Sequence, residues 1–169
     1  MIKAIVCVDK NWGIGKKNGL LFDIPEDMDF FRKTTLNKVV CMGYNTLLSF
    51  PDSKPLKNRT NIVLAPADVT VDGAITVHTL EELFIKLSQF KSQDIYVIGG
   101  AMFYKSMLPY CEEILVTKVL ADGEAEVFFE DLNQSKDFEL VQNNGLKRSS
   151  AGYMICFTKY KNKHPRAFN

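Results

Sequence analysis

Apolar residues along the chain fall into short continuous runs, separated by amphipathic or glycine-rich stretches. The runs IKAIVCVD (2–9), KVVCM (38–42), TNIVLAP (60–66), AITVH (74–78) and EEILVTKVL (112–120) have the length and β-branched content of buried strands. Between them, PEDMDFFRKTTL (25–36), GYNTLLSF (43–50) and TLEELFIKLSQF (79–90) carry helical spacing. The stretch DIYVIGGAMFYKSML (94–108) reads as strand, glycine pair and helix. In the third helix Leu80, Leu83, Phe84 and Leu87 form the apolar stripe, and Thr79 with Glu82 forms a capping box. Asn45 or Thr46 is the expected cap of the second. The last third holds FELVQNNG and YMICFTKYK, which read as two hairpin strands. Alternation first and strands alone afterwards predict one α/β domain. Its central sheet is mostly parallel, with helices on both faces and an antiparallel C-terminal edge hairpin. The ending KNKHPRAFN is expected to be a loose, basic tail.

One position breaks the pattern. At about 100° per residue, Met28, Phe31, Thr34 and Thr35 share an arc, with Phe30 at its edge. Asp27 lies inside that arc, one turn before Phe31. An ionised carboxylate on an apolar face is costly unless it is paired. Two readings stand. An acid in the first turn, just after Pro25 at the helix start, meets the positive end of the helix dipole. Alternatively, the carboxylate awaits a ligand.

Glycine marks two further places. KNWGIGKKNGL places Gly13, Gly15 and Gly19 within seven positions, either a plain connection or a loop that closes on a ligand. Gly99-Gly100 stands between a strand and a helix, where backbone can approach a bound anion, but this falls short of a full dinucleotide fingerprint.

Composition narrows the classes. The 169 residues suit a single domain, and a net charge of +1 gives no basic field for nucleic acid. No apolar run is long enough to cross a membrane, and MIKAIVCVDKNWG lacks the pattern of a secretory leader, so a cytoplasmic protein is expected. Cys7, Cys41, Cys111 and Cys156 are widely spaced and read as free thiols of a reducing compartment. His78 and His164 have no metal-ligand spacing, so no metal is expected.

Taken in order, GIGxxNGL, xxIPxDMxFF, TLNKxxxMGxNT, KPLxxRTNIVL, VIGGxxxY and ILVTKV closely resemble dihydrofolate reductase of the bacterial, monofunctional type. The resemblance covers about residues 1–160 and implies a reductase-like domain over 1–162, with 163–169 as the tail. It implies hydride transfer from NADPH to C6 of dihydrofolate with protonation at N5, a monomer, and binding of antifolates such as methotrexate. Asp27 matches the acid that holds the pterin, and Thr117 the threonine that orients it. Leu20 and Phe22 complete the catalytic set. Ile5, Cys7, Met28, Phe31, Phe50, Leu56 and Ile98 would wall the folate, with Arg59 and Lys54 on its glutamate tail. For the cofactor the resemblance implies Cys7, then Ile14, Gly15, Asn18, Gly19 and Leu20 of a mobile loop. It adds Gly43, Tyr44, Asn45 and Thr46, then Leu64, Ala65, Pro66 and His78. The last group is Ile98, Gly99, Gly100, Ala101, Met102, Phe103 and Tyr104, with a cis peptide between the two glycines.

Two departures change the expectation. Leu20-Leu21-Phe22 replaces the family's Leu-Pro-Trp, which keeps an aromatic wall but removes the indole donor. Around the 2′-phosphate of NADPH the family places arginine and hydroxyl groups. Here the residues are Tyr44, Ala65, Pro66 and Met102, with His78 nearby. Weak discrimination between NADPH and NADH is therefore expected. A loop at 121–131 also departs from the usual acidic and threonine-containing pattern. A pyrimidine-type reductase of the same fold, or a folate- or dinucleotide-binding protein without catalysis, are the alternative readings.

Overall fold

In the computed structural model, which describes residues 1–17 and 19–168, the strand-like runs become the eight strands of one sheet and the amphipathic stretches four α-helices. An eight-stranded sheet carries the order β5-β4-β3-β6-β1-β7-β10-β9. These strands are β1 (Ile2–Val8), β3 (Val39–Gly43), β4 (Thr60–Leu64), β5 (Ile75–Val77), β6 (Ile95–Val97), β7 (Glu113–Val119), β9 (Phe138–Arg148) and β10 (Met154–Asn162). Pairs from β5 through β7 are parallel; β10 runs antiparallel to both β7 and β9. The central strands read as near-continuous apolar runs because both faces are covered. Ala4, Val6, Val8, Val97 and Val116 pack on one side, while Ile5, Val40, Met42, Val63 and Tyr96 pack on the other.

Of the helices α1 (Pro25–Thr35), α2 (Tyr44–Ser49), α3 (Leu80–Ser88) and α4 (Ala101–Met107), the last three follow β3, β5 and β6 in the chain, and α1 precedes β3. Thr79 caps α3 by accepting from Glu82 N–H at 3.1 Å, and the Glu82 carboxylate returns to His78 N–H at 2.8 Å. The expected box therefore forms one residue out of register. Leu80 of the expected stripe is exposed, whereas Leu83 and Leu87 are fully buried. Neither Asn45 nor Thr46 caps α2: Gly43 holds that position without a side-chain bond. Strand β4 stops at Leu64, two residues short of Pro66.

A second, two-stranded sheet pairs β2 (Gly13–Gly15) with β8 (Val127–Phe128). Neither strand was visible as such in the pattern, since two or three residues cannot show a period. The C-terminal segment expected to be loose lies against the domain. Lys163 N–H donates to Asp137 O, Arg166 N–H donates to Pro109 O at 2.9 Å, and Phe168 packs on Phe84. All four cysteines are free; Cys41, Cys111 and Cys156 are buried and Cys7 half-buried. No helix among the described residues is long and apolar enough to cross a membrane.

Candidate active site

Asp27 occupies the third position of α1, where Pro25 starts the helix and the chain enters from buried Ile24. The helix sets the carboxylate against the sheet, over β1 and β7. There Cys7 and Thr117 stand opposite one another in the strand register. Both side chains favour the charged form of the Asp27 carboxylate. Burial pushes its pKa above the usual carboxylate range, and Thr117 and Cys7 offset only part of that rise. Burial and the charge of Asp27 hold the Cys7 thiol far above its ordinary range, so it stays protonated.

Ile5, Phe31, Tyr44, Phe50, Leu56, Ala65 and Ile98 gather in one apolar cluster beside this carboxylate-bearing helix. Cys7 and Phe22 belong to a smaller neighbouring cluster around Ile24, Val119 and Ile155. Ile14, Leu64, Phe103 and Tyr104 pack instead into the cluster on the far side of the sheet. Met28, which shares the helical arc, is 46% exposed, and Leu20 is 67% exposed. Lys54 and Pro66 are also exposed, as is Met102. Asn18 lies outside the described residues.

Arg59 is held tightly. Its Nε donates to Thr35 Oγ1 at 3.1 Å, and its two terminal nitrogens donate to Lys57 O and Arg32 O. These bonds use three of the five guanidinium N–H groups. Two remain in the same plane, enough for a bidentate contact with a carboxylate. Burial and the neighbouring Arg32 lower its pKa from the usual value. Sequence reasoning missed the residue that shapes this loop. Buried Asn61 accepts from Leu56 N–H and donates to Leu56 O and Arg59 O, pinning both side chains' backbones.

Gly99 and Gly100 are joined by a cis peptide, and Gly99 has φ +128°. Gly43 N–H donates to Gly99 O at 2.9 Å. A Cβ at Gly99 or Gly100 would sit 3.2 or 3.3 Å from Thr46 Oγ1, so only glycine leaves this backbone open beside that hydroxyl. Tyr104, the fourth residue of α4, is buried and its hydroxyl donates to Ile5 O at 2.7 Å. His78 directs Nδ1 at Ala65 O (3.2 Å) and Pro66 O (3.0 Å), which assigns the proton on that nitrogen.

The glycine-rich loop is latched to the 121–131 loop despite the altered sequence there. Glu126 N–H donates to Gly15 O at 2.9 Å, and its carboxylate accepts from Lys17 N–H at 2.7 Å. Asp9, also missed from sequence, is a buried carboxylate that accepts from Asn11, Gly13 and Gly123 N–H. Trp12 is buried against Phe129 and Tyr160 and anchors the loop base. Phe22 packs edge-on against Tyr153, with ring centroids 4.9 Å apart. A depression of about 590 Å³ is lined by Ala101, Met102 and Tyr104 of α4, Phe128 of β8 and the C-terminal segment; Asp27, Thr117 and Arg59 take no part in it. Among the described residues, no three His, Cys, Asp or Glu side chains gather as metal ligands.

The sequence model of dihydrofolate reductase matches residues 1–162. The chain belongs to the dihydrofolate reductase family. The enzyme of Bacillus subtilis is 31% identical over 165 residues, covering 97% of this chain and 96% of that one. The enzyme of Ureaplasma parvum is 38% identical over 122 residues, covering 72% of this chain and 76% of the other. The fold is similar to the dihydrofolate reductase from Enterococcus faecalis solved with NADP(H) and RAB-propyl. The TM-score there is 0.85, with 25% identity and 96% of each chain covered. An NADPH-dependent dihydrofolate reductase, the class of enzyme expected from the motifs, is the class these matches give.

Proposed function

We propose that this enzyme moves a hydride from NADPH to C6 of 7,8-dihydrofolate while a proton reaches N5, giving tetrahydrofolate. The observation that carries the proposal is Asp27: a half-buried carboxylate on an apolar helix face, with its pKa raised by burial and partly restored by Thr117 and Cys7. Its unused lone pairs suit two parallel donors, the 2-amino group and ring nitrogen of a pterin. Holding a carboxylate in a partly apolar site favours the protonated pterin electrostatically, as burial strengthens every charge interaction there.

The remaining roles follow the geometry. Ile5, Phe31, Phe50, Leu56 and Ile98 supply an apolar wall for the folate rings, with Met28 at its exposed edge. Arg59 offers two coplanar N–H groups to the glutamate α-carboxylate, with Lys54 in support. NADPH supplies the hydride when bound. The open backbone at Gly99 and Gly100, the Thr46 hydroxyl and the Gly43–Asn45 turn fit its pyrophosphate. The loop from Gly13 to Leu20, tied down by Glu126, excludes water from the reacting atoms. Phe22 retains an aromatic wall with no N–H, so the proton reaches N5 without help from an indole.

The test is dihydrofolate-dependent oxidation of NADPH, followed by its absorbance. Asp27→Asn should keep its fold and lose roughly 10²–10⁴-fold in hydride-transfer rate at neutral pH. Unchanged pre-steady-state transfer in that variant would remove Asp27 from the mechanism. Ligand uptake without turnover in the parent would point to a binding protein instead.

A further inference from the structure

Asp9 is a buried acid that the proposed mechanism does not use. It follows the last residue of β1, and among the described residues no cation forms an ion pair with it. Its partners are all backbone groups. Oδ1 accepts from Asn11 N–H at 2.8 Å and Gly13 N–H at 2.7 Å, and Oδ2 accepts from Gly123 N–H at 3.0 Å. Its own N–H donates to Gly13 O at 2.9 Å, and its carbonyl accepts from Trp12 N–H at 3.1 Å. One side chain thus joins the base of the glycine-rich loop to the 121–131 loop, 114 residues further on. Lys10 N–H, donating to Ala121 O at 3.1 Å, adds a second tie between the same segments. A buried acceptor with every donor fixed in backbone holds those donors firmly, because leaving one unpaired costs its full desolvation.

Gly123 carries this clamp toward the reacting centre. It is buried, and its φ is not in the left-handed region, so glycine is needed there for space. A Cβ on it would lie 2.9 Å from Leu21 Cδ1, 3.0 Å from Leu21 Cβ and 3.0 Å from Phe22 Cζ. The Leu21-Phe22 pair therefore lies directly against the Gly123 backbone. Phe22 also meets Tyr153 edge-on, which leaves its ring defined by two neighbours from separate loops. The path from acid to ring is one residue long: Asp9 holds the Gly123 N–H, and Phe22 rests on the same residue.

We propose that Asp9 is a positioning residue for hydride transfer: by fixing Gly123 it sets the floor on which the Phe22 ring lies beside the reacting atoms. The proposal rests on the reading of Phe22 as the aromatic wall of the reductase site. Displacing reacting groups by about 1 Å can slow a reaction roughly a hundredfold, so a small shift of that floor is enough to be read in the rate. The folate-binding residues Ile5, Phe31, Phe50 and Arg59 lie outside the clamp, so dihydrofolate affinity should hold.

The experiment compares parent, Asp9→Asn, Gly123→Ala, Phe22→Leu and the double variant Asp9→Asn with Phe22→Leu. The amide keeps the shape of the acid but has a single acceptor oxygen and turns N–H groups toward backbone donors. Hydride transfer is read in single turnovers with NADPH and its deuterated form, and dihydrofolate Kd by fluorescence quenching. Asp9→Asn should slow the isotope-sensitive step about tenfold and keep Kd within about twofold. Gly123→Ala, with Asp9 intact, should slow it comparably. In the Phe22→Leu background Asp9→Asn should cost less than about twofold, since the ring through which it acts is gone. Parent-rate transfer in Asp9→Asn, or the same loss with and without the ring, would overturn the proposal; the latter is what a merely structural clamp gives. Should Asp9→Asn fail to fold, Gly123→Ala decides by the same two criteria, alone and combined with Phe22→Leu. Parent-like transfer in Phe22→Leu removes the wall and the proposal with it while the reductase reading stands. Absence of dihydrofolate-dependent NADPH oxidation in the parent removes both.

Discussion

The cofactor preference of this enzyme should be shallow, and the structure says why. The four residues at the expected 2′-phosphate position offer little. Ala65 is buried and its N–H already donates to Val77 O at 2.9 Å. Pro66 has no N–H, and its carbonyl is taken by His78. Met102 is exposed and apolar. What remains is the Tyr44 hydroxyl and Nε2 of His78, whose other nitrogen is held by two carbonyls. One charge-assisted hydrogen bond contributes about 1.5–3 kcal/mol, and a neutral one about 1 kcal/mol. These correspond to factors of roughly 10–150 and about 5, since 1.4 kcal/mol is tenfold. The combined NADPH preference should therefore stay below roughly a thousandfold. The assay is kcat/KM for NADPH and NADH at saturating dihydrofolate. His78→Ala should lower the NADPH value about tenfold or more and leave NADH unchanged. A preference above a thousandfold, or one indifferent to His78→Ala, would refute the reasoning.

Three further outcomes follow from the same structure. Because burial raises the pKa of Asp27 in the fold, the parent should lose stability as pH rises from the unfolded carboxylate value to the folded one, and stay lower above it. Asp27→Asn should remove that loss and melt higher at pH 7 in the ligand-free state; a lower melting temperature there would contradict the assignment. Glu126→Ala deletes the acceptor for Lys17 N–H but keeps the backbone bond to Gly15, so cofactor release should quicken by about 3–10-fold, as for one ordinary hydrogen bond. Stopped-flow release at the parent rate would show that the latch does not hold the loop. Gly13→Ala would put a Cβ 2.3 Å from Ala125 Cβ and 2.9 Å from Asp9 Oδ1. Overpacking of this kind costs about 1–3 kcal/mol, a drop of roughly 2–12 °C on thermal melting; a loss under about 1 °C would mean the loop shifts freely.

The sheet was readable because its central strands are covered on both faces, which forces continuous apolar runs such as KVVCM and TNIVL. The hairpin of β9 and β10 was readable for its order in the chain. What escaped notice had no period to show. β2 and β8 are three and two residues long, and their pairing is made by backbone groups that any side chains would offer. The α2 cap misread arose because Asn45 and Thr46 look like caps, yet Gly43 already supplies the turn where the chain meets Gly99 O. The C-terminal segment looked solvated by composition, but Phe168 gives it an apolar anchor against Phe84, and Lys91 lies over the same ring.

The site shows a different division. Asp27 was legible because it violates a pattern, and a violation can be seen in one sequence. Asn61, Asp9 and Glu126 obey no pattern and violate none. Asp9 and Glu126 serve by accepting from backbone groups far away in the chain, Gly123 and Lys17, and Asn61 by bonding the backbone of its own loop. Such roles depend on three-dimensional neighbours, so residue type alone carries no trace of them. Cys7 lies between these cases: the resemblance named it, while its place opposite Thr117 came only with the strand register. Stability given up at Asp27 is the expected companion of a preorganised charge, because burial strips the carboxylate of water that would solvate it.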